Sequence, residues 1–251
     1  MTSIDRTVNR GAAITAAVTG PLIIVASFLS PGDGPDVTTA TAEQIRAWAV
    51  SQATAQRVGA LGGLLSLALL LVMTAALTRV LRDALPRSPL ADLFAGAGYL
   101  LIGALFLNVT ASAVPVVLPD LIGASPATVD DDVLRGWYGI TGYTHLLGDF
   151  QMTFIALLVG AFSVAALRAR FVARWIGWVG LAVAGSAALG TVGVALNSGV
   201  LYGFWFGGLF GWVLWYPIVG VALGLRARSA RRAAQRAATP DAVAQPATAR
   251  R

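Results

Sequence analysis

A chain of 251 residues with 57% hydrophobic and only 12% charged side chains, at a mean hydropathy of +0.73, lacks the polar surface that a water-soluble globule needs. Soluble domains carry about 25% charged residues. All 18 basic residues are arginine and give a net charge of +6, but they lie in short clusters between apolar runs, the pattern of membrane topology rather than of a nucleic-acid surface. The absence of cysteine excludes disulfides, thiolate metal sites and cysteine nucleophiles.

The charged start MTSIDRTVNR precedes 22 residues without a charge, 11–32. That stretch is long for a signal peptide, contains Pro21 and has no A-x-A site after it, so it predicts a first transmembrane helix over 11–30, kinked at Pro21. SPGDGPD is a turn-rich break. In TTATAEQIRAWAVSQ, Thr41 with Gln44 fits a capping box, and Ile45, Trp48 and Ala49 share one face. This predicts a short amphipathic helix at the outer interface, anchored by Trp48.

The second span is expected over 57–79, with 21 uncharged residues between Arg57 and Arg79. A polar loop with Arg82 and Arg87 leads to the third span, 93–115, ending at Pro115. A long connection follows, closed by Asp130, Asp131 and Asp132, which suit the positive N-terminus of the next helix. The fourth span is expected over 142–167, and RARFVAR turns the chain. The 51 uncharged residues from Trp175 to Leu225 suit two spans, 175–196 and 203–225, broken at Asn197, Ser198 and Gly199. The basic tail, 226–251, has a composition that predicts disorder.

Arginine distribution orients these six spans. With the N-terminus inside, fifteen arginines lie inside and only Arg46, Arg57 and Arg135 outside. Both termini are therefore expected in the cytoplasm. Trp137, Tyr138 and Tyr143 mark the outer edge of span four, and Trp175 and Trp178 the inner edge of span five.

The hairpin VAALRARFVARWIGWVGLAVAG, the preceding THLLGDF helix and the stretch AEQIRAWAVSQATAQRVGAL together resemble an uncharacterised family of bacterial six-helix integral membrane proteins. Ala173 stands where that family tends to have proline. The resemblance implies the six-span topology. The family has no agreed activity, so no functional residue is carried over from it.

Span four holds the polar residues of interest. Thr141, His145, Asp149 and Thr153 recur every four residues and form one stripe. His145 is the only histidine. An acid in an apolar span is costly unless paired or hydrated. Counting back from Arg168 at about 1.5 Å per residue puts Asp149 roughly 28 Å from the inner end, near the outer boundary of a ~30 Å hydrocarbon layer. One reading is a capped, water-touched pair at the rim; the other is a proton or cation site opening outward. Asn108 in span three and Arg57 at the start of span two lie at similar expected depth, and Arg57 neutralising Asp149 would make the cluster a structural clamp.

Enzyme templates fail one by one. A zinc protease helix needs two histidines, and an aspartyl protease needs two carboxylates. No serine is marked as a partner for His145, and no cofactor motif or metal-ligand spacing is present. In span six, Gly203, Gly207 and Gly211 predict close packing, either on Ala182, Ser186 and Gly190 of span five or between two copies in a homodimer. Trp205, Leu209, Trp212 and Tyr216 form another face, and Trp205 is expected on lipid or a loose surface.

The sequence thus predicts an all-α, polytopic membrane helix bundle of the bacterial cytoplasmic membrane, with six transmembrane helices plus one short interfacial outer helix in a single domain over 1–225. Its expected partners are the lipid bilayer and, through the arginine tail, anionic lipid, with no nucleic acid. A structural or interaction role is favoured over a small permease or ligand-binding protein. Cysteines introduced at Gly34 and Ala124 are expected to react with an impermeant maleimide in intact cells; reaction at residue 34 only after lysis overturns this topology.

Overall fold

The computed structural model describes residues 13–14, 18–19, 21–22, 34–36, 38–125 and 127–238. After the helical residues 13–14, 18–19 and 21–22, these form α1 (Ala42–Ala84), α2 (Leu90–Leu121), α3 (Asp131–Phe150), α4 (Met152–Ala169), α5 (Arg174–Ala195) and α6 (Gly199–Ala238). No strand occurs among the described residues. Among the described residues, five helical stretches are long and apolar enough to cross a membrane: Ala42–Ala84, Leu90–Pro119, Asp131–Ala169, Arg174–Ala195 and Gly199–Ser229. Large apolar side chains such as Leu61, Leu65, Leu100, Phe106, Phe206 and Phe210 face outward along them. That surface is consistent with a membrane location. Most of the expected first span, including the surroundings of Pro21, lies outside the described residues, as does the tail beyond 238.

The capping box forms as expected. Thr41 Oγ1 accepts from the Gln44 N–H (3.2 Å), and Gln44 Oε1 accepts from the Thr41 N–H (2.9 Å). The separate interfacial helix does not form. It is the first part of α1, a continuous helix of 43 residues. Nothing in 51–62 stops it, because an interior glycine such as Gly62 costs only about 1 kcal/mol. At 1.5 Å per residue α1 is about 64 Å long, roughly twice a hydrocarbon layer.

The surplus length packs on protein. Ile45 joins Leu134 and Tyr138 in a small second core, and the Trp48 ring meets Tyr138 edge-on at 5.5 Å. Trp48 thus anchors α1 to α3. Arg46 Nη2 donates to Asp131 Oδ1 (2.8 Å) and to the Val129 carbonyl (2.6 Å). The Tyr138 hydroxyl donates to the Pro35 carbonyl. Just beyond, Thr38 donates its hydroxyl (2.6 Å) and its N–H (2.8 Å) to Asp36 Oδ1, which holds that carboxyl below the usual carboxylate range.

α2 does not end at Pro115 but runs through Pro115 and Pro119 to Leu121. Each proline removes one N–H and crowds one carbonyl, while the rest of the ladder holds. Asp130 caps α3 as expected, accepting from the N–H groups of Asp132 (2.9 Å) and Val133 (3.5 Å). α4 ends at Arg170 and the α5–α6 turn contains Asn197, both with left-handed backbone (φ 52° and 51°). α6 passes through Pro217 and continues to Ala238, so the tail is helical well past residue 226. Alanine, arginine and glutamine are strong helix formers, and extending a formed helix needs no new nucleus.

α4, α5 and α6 pack as neighbours, with Phe162 of α4 against the buried Trp215 ring of α6 (5.0 Å). Glycines bring α5 and α6 backbones together. A Cβ at Gly208 would sit 2.6 Å from Ala187 Cα, and one at Gly190 2.7 Å from Trp205 Cα. A Cβ at Gly207 would sit 2.5 Å from Ser186 Oγ and one at Gly211 2.7 Å from Val183 Cγ2, whereas one at Gly203 would meet nothing within 4 Å among the described residues. A four-residue step turns a helix by about 40° beyond a full turn. Gly203 has therefore rotated off the face that Gly208 completes. Trp205 is half-buried against Gly190 rather than on a lipid surface, and Trp212 and Tyr216 are in the core. Gly208→Leu is expected to lower stability in detergent by about 1–3 kcal/mol, the cost of overpacking, and Gly203→Leu to be near neutral. Equal thermal midpoints by circular dichroism would remove this interface.

Candidate polar site at the junction of α3 and α4

The expected fourth span straddles two helices. The rod Asp131–Ala169 is 39 residues long and is interrupted at Gln151. Gln151 N–H still reaches the Leu147 carbonyl (3.1 Å). Phe154 N–H then turns to the Gln151 carbonyl (2.9 Å), one residue short of its regular partner, and Ile155 N–H shares the same acceptor (3.2 Å). The carbonyls of Gly148 and Phe150 take no ladder bond among the described residues. Freed carbonyls at membrane depth persist only where protein or water meets them.

Polar side chains from four segments gather at this turn. Asp149, half-buried, ends α3. The Tyr202 hydroxyl of α6 donates to Asp149 Oδ1 at 3.4 Å, a long contact for an O–H donor. Gly148 is buried, and its side-chain face is occupied by a neighbouring amide. A Cβ there would lie 3.3 Å from Asn108 Nδ2 of α2 and 4.0 Å from Gln151 Nε2, so the two amides converge on this glycine. Gln151 is buried, and its Oε1 has no hydrogen-bond partner among the described residues. Five other buried side-chain polar atoms share this state, those of Thr74, Ser163, Trp205, Trp212 and Tyr216; Gln151 differs from them in standing at a helix interruption two residues from an acid.

The expected stripe of span four divides at this junction. Thr141 closes on its own helix, donating to the Tyr138 carbonyl at 2.6 Å. Thr153 lies beyond the break and meets Thr191 of α5 at 3.4 Å. The backbone of His145 lies in α3 one turn before Asp149; its side chain lies outside the described residues. Arg57 is exposed on α1, six residues before Gly63. A Cβ at Gly63 would touch Val109 Cγ2 (2.9 Å), the neighbour of Asn108, so Arg57 is set about 9 Å along α1 from the amide layer.

Comparison with protein-family models, with curated proteins and with solved structures gives no match. The chemistry is therefore read from the geometry alone. One carboxylate, a phenol and two amides, whose nitrogens are the atoms facing Gly148, lie at this turn; the carboxylate and the amide oxygens are the groups here that can accept a proton or a polar solute's donor. No group of three His, Cys, Asp or Glu side chains that would hold a metal ion occurs among the described residues.

Gln151, Tyr202 and Gly148 complete the layer that Asp149 and Asn108 begin. A polar amide two residues after the acid is a signal in the sequence itself. Tyr202 carries none, because only the packing of α6 brings it there. Gln151→Leu is expected to raise the thermal midpoint in detergent, since removing an unsatisfied buried acceptor recovers about 1–3 kcal/mol. A lower midpoint would show that the Gln151 amide is satisfied in solution.

Proposed function

We propose that this chain is a six-span protein of the bacterial cytoplasmic membrane, both termini inside, that binds a proton or small monovalent cation at the Asp149 layer from the outer side. The observation that carries this reading is the interruption of the Asp149-bearing rod at Gln151, beside a buried amide oxygen that has no partner among the described residues. Discontinuous spans supply freed backbone carbonyls to cations, and an intramembrane acid supplies the charge. The arginine distribution and the resemblance to six-helix membrane proteins support the topology. Asp149 would be the charged ligand, Gln151 and Asn108 the neutral amides, and Tyr202 the hydroxyl that orients the carboxylate.

A structural role is the second reading, in which Arg57 neutralises Asp149 and the glycine faces serve assembly. The glycine contacts of α5 and α6 support it as packing within one chain. The two readings differ in their response to mutation. Under the site reading, sodium, potassium or a change of pH shifts the thermal midpoint of the purified protein, and Asp149→Asn abolishes the shift while leaving stability unchanged or raised. Under the clamp reading, Asp149→Asn and Arg57→Gln each destabilise, and the double variant recovers part of the loss, as broken buried pairs do. No response to cations or pH in the wild-type protein would overturn the cation site.

A further inference from the structure

A groove of about 770 Å³ lies at the far end of the bundle, where α6 crosses the α4–α5 turn. Its walls are apolar, formed among others by Phe171, Ile176, Ile218 and Val221. Arg170 and Arg226 also line it, as does Trp175, which is 55% exposed. Arg226 Nη1 donates to the Arg170 carbonyl at 3.2 Å, so this guanidinium is fixed at the C-terminal end of α4. A guanidinium has five donors, and those left over are available to an anion. Between residues 150 and 240 the sequence has eight arginines and no acid, so none of the elements that form the groove offers a competing carboxylate.

These features restrict the occupant. The volume falls in the ~300–1,000 Å³ range of small-ligand pockets. A free anion leaves the apolar walls wet, and an alkane leaves the arginines without a counter-charge. An amphiphile with an anionic head satisfies both. Arginine binds phosphate oxygens through paired N–H donors, and tryptophan gathers at the head-group level, where Trp175 and Trp178 are exposed. We propose that this groove seats one anionic phospholipid, its phosphate on Arg170 and Arg226 and an acyl chain along the apolar wall. This is a defined site, unlike the diffuse lipid contact expected of the tail. It rests on the membrane location but not on the Asp149 site, so cation binding can fail without touching it.

The test uses the full chain in detergent, titrated with brominated phosphatidylglycerol or brominated phosphatidylcholine while tryptophan fluorescence is read. Wild-type protein minus Trp175→Phe isolates the groove signal. Phosphatidylglycerol is expected to quench that signal at lower concentration than phosphatidylcholine. Arg226→Gln and Arg170→Asn (asparagine tolerates the left-handed backbone) are each expected to weaken phosphatidylglycerol about fivefold. Arg168→Gln, which does not line the groove, should leave the preference intact. Three outcomes overturn the proposal: equal quenching by both lipids, an equal loss in Arg168→Gln, or full displacement by millimolar inorganic phosphate, which would leave an anion site only. Each arginine variant is read singly, so misfolding of one leaves the other decisive.

Discussion

The rest of this architecture depends on backbone hydrogen bonding in a medium without water. Inside hydrocarbon every peptide N–H and carbonyl has to find its partner within the chain, and a helix does this within one segment. The all-helical fold follows, and so does the importance of any exception. Helices run through Pro115, Pro119 and Pro217 because each proline interrupts the ladder only locally. At Gln151 the interruption has no proline to cause it. It coincides with the acid, the amide pair and the phenol of the candidate site, which is why the junction and the polar layer are best read as one feature.

Length is the second organising quantity. α1 and the α3–α4 rod are each about twice what crossing a bilayer requires. Their surplus halves meet each other through Ile45, Leu134 and Tyr138 and through the Arg46–Asp131 pair. An exposed pair of this kind contributes ~1 kcal/mol or less. The small apolar core, the Trp48 edge contact and the Tyr138 bond to Pro35 therefore carry most of the attachment. Gln151 stands where the rod passes from this small second core to the packed bundle, so the polar layer lies between the two.

Close packing of α5 and α6 is the third element, because it sets where Tyr202 stands. A Cβ at Gly193 would run into the Leu201 and Tyr202 backbone, and one at Gly190 into Trp205. Only residues without a side chain allow α6 to lie this near α5. That approach aims the Tyr202 hydroxyl at Asp149. Apolar helices in lipid gain little from hydrophobicity against one another, so small-residue contacts of this kind decide their positions.

The sequence by itself determined the helical class, the apolar stretches, the Thr41 and Asp130 caps, the turn at Asn197 and the presence of an acid, Asp149, within an apolar run. These depend on local chemistry: hydropathy over about 20 residues, a side-chain oxygen reaching a free N–H, a charge where charge is costly. Only tertiary structure decided that the outer helix is continuous with span two, that Trp48 and Trp205 face protein, that Gly208 rather than Gly203 completes the packing face, and that Gln151 and Tyr202 join the polar layer. Each depends on which helix lies opposite. A periodic pattern states that a face is apolar or small, but the same face suits lipid, an interface or a neighbouring helix until the neighbour is in place.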